Sequence, residues 1–243
     1  IRRHPRPTLF PSPTLFRSVI GPADKPSLDT LVVMKQFDLP EAFPSEVIDE
    51  AEKVAQRLTR PGTREDIRGK YIITVDPATA RDFDDAVSLE TDERGNRVLG
   101  VHIADAGHFV RPNSPLDQEA RQRGTSVYLV DKVVPMLPEQ LSNGVCSLRP
   151  DEDRLTFSAF MTFDASGRMI ARRFAKTRIR SKLRLNYEQA MAIIEDKVPE
   201  GLAVVPSEAR RLLKETWNLA AQMRARRFSM AALDLKVPEV EVV

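Results

Sequence analysis

The 243-residue sequence predicts an α+β fold, a mixed and mostly antiparallel sheet with packed helices. Three observations predict it. Strand-like runs are joined by short turn-forming strings, Asp92-Glu93-Arg94-Gly95-Asn96 and Ala165-Ser166-Gly167, which fold a chain back on itself. Helical patterns fall in separate blocks, beginning at Ser45, Pro115, Asn186 and Ser207. No regular strand–helix–strand beat is present to build a parallel sheet.

Taken in order, residues 7–18 read PTLFPSPTLFRS, a repeated Pro-Thr-Leu-Phe without helical or strand periodicity. The string resembles a translated sequencing-library adapter, so residues 1–18 are read as an artefactual arm. A genuine proline-rich arm is the alternative. Residues 19–70 form a connector containing one helix. Ser45 is its expected N-cap, Val47, Ile48, Ala51, Val54, Ala55 and Leu58 recur at helical spacing, and Pro61-Gly62 stops it. Tyr71–Val75 is a buried strand, and residues 76–85 an irregular loop. Ala86–Glu90 and Val98–Ala104 make a hairpin. Pro115–Arg123 is a short helix stopped by Gly124. Val127–Val130, Leu155–Phe163 and Met169–Arg180 are strands. Asn186 caps a helix to Asp196, and Ser207 one to about Phe228.

Composition sets limits. A hydrophobic content of 42% suffices for one substantial core or two small ones. A net charge of +2 announces no nucleic-acid partner globally, so such a signal must be local. The single cysteine, Cys146, excludes a disulfide framework and fits a reducing compartment such as the cytoplasm. No apolar run approaches the ~18 residues of a membrane span.

The informative stretch is residues 74–88, TVDPATARDFDDAVS. It gathers Asp76, Asp82, Asp84 and Asp85. At ~4 Å, each like-charged pair costs about 1 kcal/mol in water and about 4 kcal/mol at an effective dielectric of 20. Holding four together calls for a cation, and Mg2+ takes hard oxygen ligands while leaving positions for water and phosphate. In an extended segment Asp82 and Asp84 point to one side and Asp85 to the other, so a bend is needed for convergence. The competing reading is solvated aspartates making local turns. A second pattern places Lys176, Arg178, Arg180, Lys182 and Arg184 at every second position, with Thr177, Ile179, Ser181, Leu183 and Leu185 between them. On a strand this is a basic ladder, suited either to a phosphate track or to a charged edge that discourages pairing. Tyr128, in SVYLV, reads by itself as an ordinary strand aromatic.

The acidic string resembles the signature of the RNB exoribonucleases, the ribonuclease II and ribonuclease R group. The resemblance runs on through VHIADAGHFVRPNSPLDQEARQRGTSVYLVDKVVPMLPEQLSNGVCSLRPDEDRLTFS and covers the chain from about Leu28 to its end. It implies a Mg2+-dependent hydrolase that degrades single-stranded RNA from the 3′ end to 5′-mononucleotides, as a monomer without membrane attachment. Asp76 and Asp85 match metal-holding positions, Asp84 one on which cleavage especially depends, and Asp82 the fourth member. Tyr128 matches a tyrosine that stacks on the 3′-terminal base. His102 and His108 lie in a segment that is structural in this family. Residues 71–243 correspond to an incomplete RNB catalytic domain, with cold-shock domains missing before it and a phosphate-stabilising arginine and a C-terminal OB-fold missing after it. The 243 residues alone are therefore expected to be weak or inactive. Two other classes compete. An Asp-x-Asp phosphotransferase wants apolar residues before its first aspartate, where Ala78-Thr79-Ala80-Arg81 stands. A non-catalytic RNA-binding relative would usually have lost aspartates.

Overall fold

The computed structural model describes residues 29–56, 63–202, 204–230 and 233. The 1–18 arm lies outside them, as does Leu58. The helices are α1 (Asp29–Gln36), α2 (Ser45–Ala55), α3 (Ala106–Phe109), α4 (Pro115–Arg123), α5 (Tyr187–Ile194) and α6 (Ser207–Ser229). The strands are β1 (Glu65–Asp66), β2 (Ile73–Asp76), β3 (Asp85–Thr91), β4 (Arg97–Ala104), β5 (Val127–Tyr128), β6 (Val133–Val134), β7 (Asp153–Phe163), β8 (Met169–Arg180) and β9 (Leu183–Asn186). Two compact units divide the chain. Among the described residues, the smaller holds 29–42 and Ser126–Val134, and the larger those from Phe43 to Thr125 and from Pro135 onward.

In the smaller unit, β5 and β6 form an antiparallel hairpin, and the Thr30 hydroxyl on α1 donates to Asp131 at its turn. The strand expected over Val127–Val130 is shorter, because Leu129 N–H already closes the turn onto the Lys132 carbonyl.

The larger unit is built on a seven-stranded sheet in the order β1-β8-β7-β4-β3-β2-β9. The four inner pairings are antiparallel. The outermost strands β1 and β9 pair in parallel. The β3–β4 hairpin turns where expected: Asp92 accepts from the amides of Arg94 and Asn96, and Gly95 takes φ +80°, which a side chain would resist. One sheet face packs Ile73, Leu89, Phe163 and Leu185 against Ala190 and Ile193 of α5 and Leu212, Leu213 and Leu219 of α6. Each such large side chain contributes about 1.5–3 kcal/mol on burial. Elsewhere α2 lays Val47, Ala51 and Val54 on Phe109, Leu116, Leu141 and Leu155. Two helix starts differ from expectation: Pro44 and Pro206 occupy the cap positions of α2 and α6 without side-chain caps, so Ser45 and Ser207 are first helical residues. Asn186 does cap α5, in a reciprocal capping box with Gln189.

A polar chain runs inside the sheet. His102 on β4 is fully buried between Ser88 Oγ, 3.0 Å from Nε2, and Ser158 Oγ, 2.8 Å from Nδ1. Ser158 continues to Thr177 at 2.5 Å. Burial, assisted by the Lys70 charge, pushes the His102 pKa down to about 4. The folded chain thus holds neutral an imidazole that titrates near ~6.5 when unfolded. The stabilisation is complete above the unfolded pKa and is lost as pH falls towards the folded one, in total on the order of 3 kcal/mol. The His102 ring proton signals are expected to stay in their neutral positions down to about pH 5 in an NMR titration. A midpoint near the unfolded value would refute this.

At the β8 edge, Asp66 receives Arg68 and Arg178, each at 2.7 Å. Asp153 receives Arg68 at 2.8 Å and Arg180 at 2.6 Å, and Glu65 receives Arg173 at 2.8 Å. Hydrogen bonds from Arg68 and then Arg178 hold the Asp66 carboxyl well below its usual range.

Candidate active site

The acidic segment is part strand and part loop. Asp76 is the last residue of β2, fixed by its pairing with Asn186 of β9. Asp85 is the first of β3, opposite Ile103 of β4. The expected loop of residues 76–85 therefore shrinks to 77–84, because both flanking aspartates are caught in ladder hydrogen bonds. Within the loop, Ala80 N–H closes a turn on the Pro77 carbonyl at 3.1 Å. Arg184 of β9 donates to the carbonyls of Pro77 at 2.7 Å and Ala78 at 3.1 Å, and its guanidinium lies 5.3 Å from the centre of the Phe83 ring.

Residues 81–84 are held more firmly. Ser147 Oγ accepts from Phe83 N–H at 3.1 Å and donates to the Arg81 carbonyl at 3.0 Å. Leu148 N–H donates to the Phe83 carbonyl at 2.8 Å, and Ala104 N–H to the Asp84 carbonyl at 2.9 Å. Phe83 turns inward against Ile72, Ala86, Leu148 and Phe160.

The four carboxylates share one electrostatic neighbourhood. Burial raises the Asp76 carboxyl above its ordinary range, with Asp85 and Asp82 adding and the Thr74 hydroxyl and Arg184 opposing. Asp84 and Asp85 are exposed as residues, yet partial desolvation by the surrounding protein, with Asp82, Asp85 and Asp76 adding, raises the Asp84 carboxyl. Asp76 is 7% exposed, and its Oδ2 is buried with no hydrogen-bond partner. Among the described residues, no three carboxylate, histidine or cysteine groups share a metal-holding geometry. The donor chemistry itself suits a hard divalent cation: it is anionic, all oxygen, and includes one buried oxygen that no protein donor satisfies.

The other expected site residues are distributed as follows. Tyr128 is 67% exposed on the hairpin of the smaller unit. Lys176 is exposed on β8. It stands in one cross-strand row with Phe157, Ile103 and Asp85, three strand spacings or about 14 Å from the aspartate. Arg178 and Arg180 engage the carboxylates of Asp66 and Asp153. Lys182, between β8 and β9, is half-buried, and its amide donates to the Ile72 carbonyl at 2.7 Å. The alternation of the ladder is present, since Thr177, Ile179, Ser181 and Leu185 are buried between these cations.

Cys146 is buried beside this region. Burial, then the Asp84 charge, pushes its thiol up to about 12, with Arg154 opposing. A thiol of that pKa is almost never a thiolate at neutral pH, so it is no nucleophile. Native protein at pH 8 is expected to react with a disulfide reagent at least ~100-fold more slowly than protein in urea. Equal rates would contradict the burial. Ser147, Arg154 and the loop contacts of Arg184 were not visible as site features in the sequence. Ser147 stands in the string SNGVCSLRP without a local signal of its own, and its loop partners lie more than sixty residues away.

Fold and site together define an α+β domain with an acidic loop at the end of a mainly antiparallel sheet. The RNB domain model matches residues 64–243, and the chain belongs to that family. It is 43% identical over 248 residues to ribonuclease R of Thermotoga maritima, covering all of this chain and 34% of that protein. It is 40% identical over 233 residues to ribonuclease R 1 of Lactococcus lactis, covering 94% of this chain and 28% of that one. Among solved structures, Mycoplasma genitalium RNase R in complex with ribose-methylated single-stranded RNA superposes with a TM-score of 0.82 at 31% identity, over 93% of this chain and 35% of that chain. The chain thus spans about a third of the length of the curated relatives it matches. No helix among the described residues is long and apolar enough to cross a membrane.

Proposed function

We propose that the protein carrying this chain is a magnesium-dependent, hydrolytic 3′→5′ exoribonuclease. It degrades single-stranded RNA to 5′-mononucleotides and works as a cytoplasmic monomer. The observation that carries this reading is the acidic loop: four mutually repelling carboxylates with one buried, undonated oxygen, on a chain of the RNB family. Asp76, Asp82, Asp84 and Asp85 would hold the cation. When bound, magnesium supplies Lewis-acid stabilisation of the charge that develops on the phosphate. Asp76 and Asp85, fixed on strands, set the rigid side of the site, and Asp82 and Asp84 its loop side. Tyr128 stacks on a terminal base, a contact worth about 1–3 kcal/mol that tolerates any sequence. Lys176, Arg178, Arg180 and Lys182 supply a positive field for backbone phosphates. The two lysines contribute more, because the arginines already face carboxylates.

The alternative is a non-catalytic RNA-binding relative, a reading that the presence of all four aspartates counts against. One experiment separates them. Residues 64–243 replace the matching segment of Thermotoga maritima ribonuclease R, and the chimera is given uniformly labelled single-stranded RNA with and without Mg2+. Magnesium-dependent release of 5′-mononucleotides from the 3′ end is the expected result. A chimera that melts cooperatively and binds RNA but releases no nucleotide establishes the alternative.

A further inference from the structure

We propose that Ser147 is a positioning residue for the acidic loop, itself held in place by Arg154. The proposal rests on the reading of that loop as the metal-binding element. Four backbone atoms in succession are fixed across residues 81–84: the Arg81 carbonyl and Phe83 amide by Ser147 Oγ, and the Phe83 and Asp84 carbonyls by the amides of Leu148 and Ala104. With the backbone fixed and Phe83 packed inward, its neighbours Asp82 and Asp84 stand half-buried and exposed, respectively. One hydroxyl accounts for two of the four contacts.

Ser147 is fully buried, so neither of its loop bonds has water as a ready substitute. Its own carbonyl accepts Arg154 Nε at 2.6 Å and Arg149 N–H at 2.8 Å. Arg154 is buried as well. It also reaches the Gly144 carbonyl at 3.4 Å and pairs with Glu152. Arg154 therefore joins the π-helical segment Gln140–Val145 to the start of β7, with Ser147 between that segment and the aspartates. Metal sites respond steeply to such supports, because ligands must sit within about 0.5 Å of productive geometry. Loss of an outer support typically lowers metal affinity 10–100-fold.

The test uses the Thermotoga chimera carrying residues 64–243, read by amide hydrogen exchange and by Mn2+ titration. In the wild type, the Phe83 amide should be protected to the level of β3 amides rather than of the Pro77–Ala80 turn. Ser147→Ala should accelerate Phe83 exchange at least tenfold and weaken Mn2+ binding about tenfold. Ser158→Ala is the control: it removes an equally buried hydroxyl bonded to His102 and Thr177 and should leave both readings unchanged. Phe83 unprotected in the wild type, or Ser147→Ala behaving as Ser158→Ala does, overturns the proposal, and the first of these needs no variant to fold. A wild-type chimera without Mn2+ affinity would overturn the metal reading instead, and Phe83 exchange would still decide the role of Ser147.

Discussion

Asp84→Asn in the Thermotoga chimera is expected to slow mononucleotide release at least ~100-fold, a loss of about 3 kcal/mol of transition-state stabilisation. The chimera should melt no lower than its parent. The two halves of this expectation have one origin. Partial desolvation, then the charges of Asp82, Asp85 and Asp76, raises the Asp84 carboxyl. Removing its charge relieves repulsion in the metal-free fold, while it removes an anionic ligand from the reacting state. The backbone has no reason to move, because the loop is anchored through the Asp84 carbonyl rather than its side chain. A purely structural aspartate would behave the opposite way, with lost stability and retained turnover. Activity within about tenfold of the parent would remove Asp84 from the chemistry.

Gly100→Ala is the substitution expected to damage the fold most for its size. Gly100 lies on β4, in the middle of the sheet, paired on both sides with Ser88 and Phe160. A Cβ there would fall 2.4 Å from Ser88 Oγ and 2.9 Å from His102 Nε2. Neither neighbour is the free end of a flexible chain. Ser88 is short, and His102 is wedged by Ser158 on its far side. The methyl must therefore break the Ser88–His102 contact, leaving buried polar groups unpaired at about 1–3 kcal/mol, and overpack the layer at about 1–3 kcal/mol more. A fall in melting temperature on the order of 10 °C follows. A shift within about 2 °C would mean that the layer has slack that the geometry does not suggest.

Much of this architecture is legible from local signals. Met169–Arg180 is a strand over the residues expected after the Ala165-Ser166-Gly167 turn. Gly124, at φ +73°, ends α4 where a glycine should. Asn186 caps α5. These are decisions made within a few residues, and sequence patterns report such decisions. Non-local pairings were not legible. β1 has only two residues, Glu65 and Asp66, and is a strand solely because β8 lies beside it. β9 exists because β2 accepts it in parallel, and that pairing draws Asp76 out of the loop and into the sheet. The acidic string itself was conspicuous through its composition. Its support was hidden, because Ser147 acts through a single hydroxyl on backbone atoms, and any residue type supplies those atoms. Arg178 and Arg180 stand where period-two alternation puts them, but their carboxylate partners depend on how Asp66 and Asp153 are brought together by the fold.

The cover over the end of β8 is only two residues wide, and much of its grip comes from Glu65, Asp66, Arg68, Arg173, Arg178, Arg180 and Asp153. A seam sewn with charge rather than oil thins as dissolved salt rises, since the screening length shrinks from about 10 Å at 0.1 M to about 3 Å at 1 M. Concentrated brine should therefore bare strand hydrogen-bonding groups that dilute buffer keeps covered, and invite neighbouring molecules to stack there. Storage and crystallisation of this protein are best begun at low ionic strength.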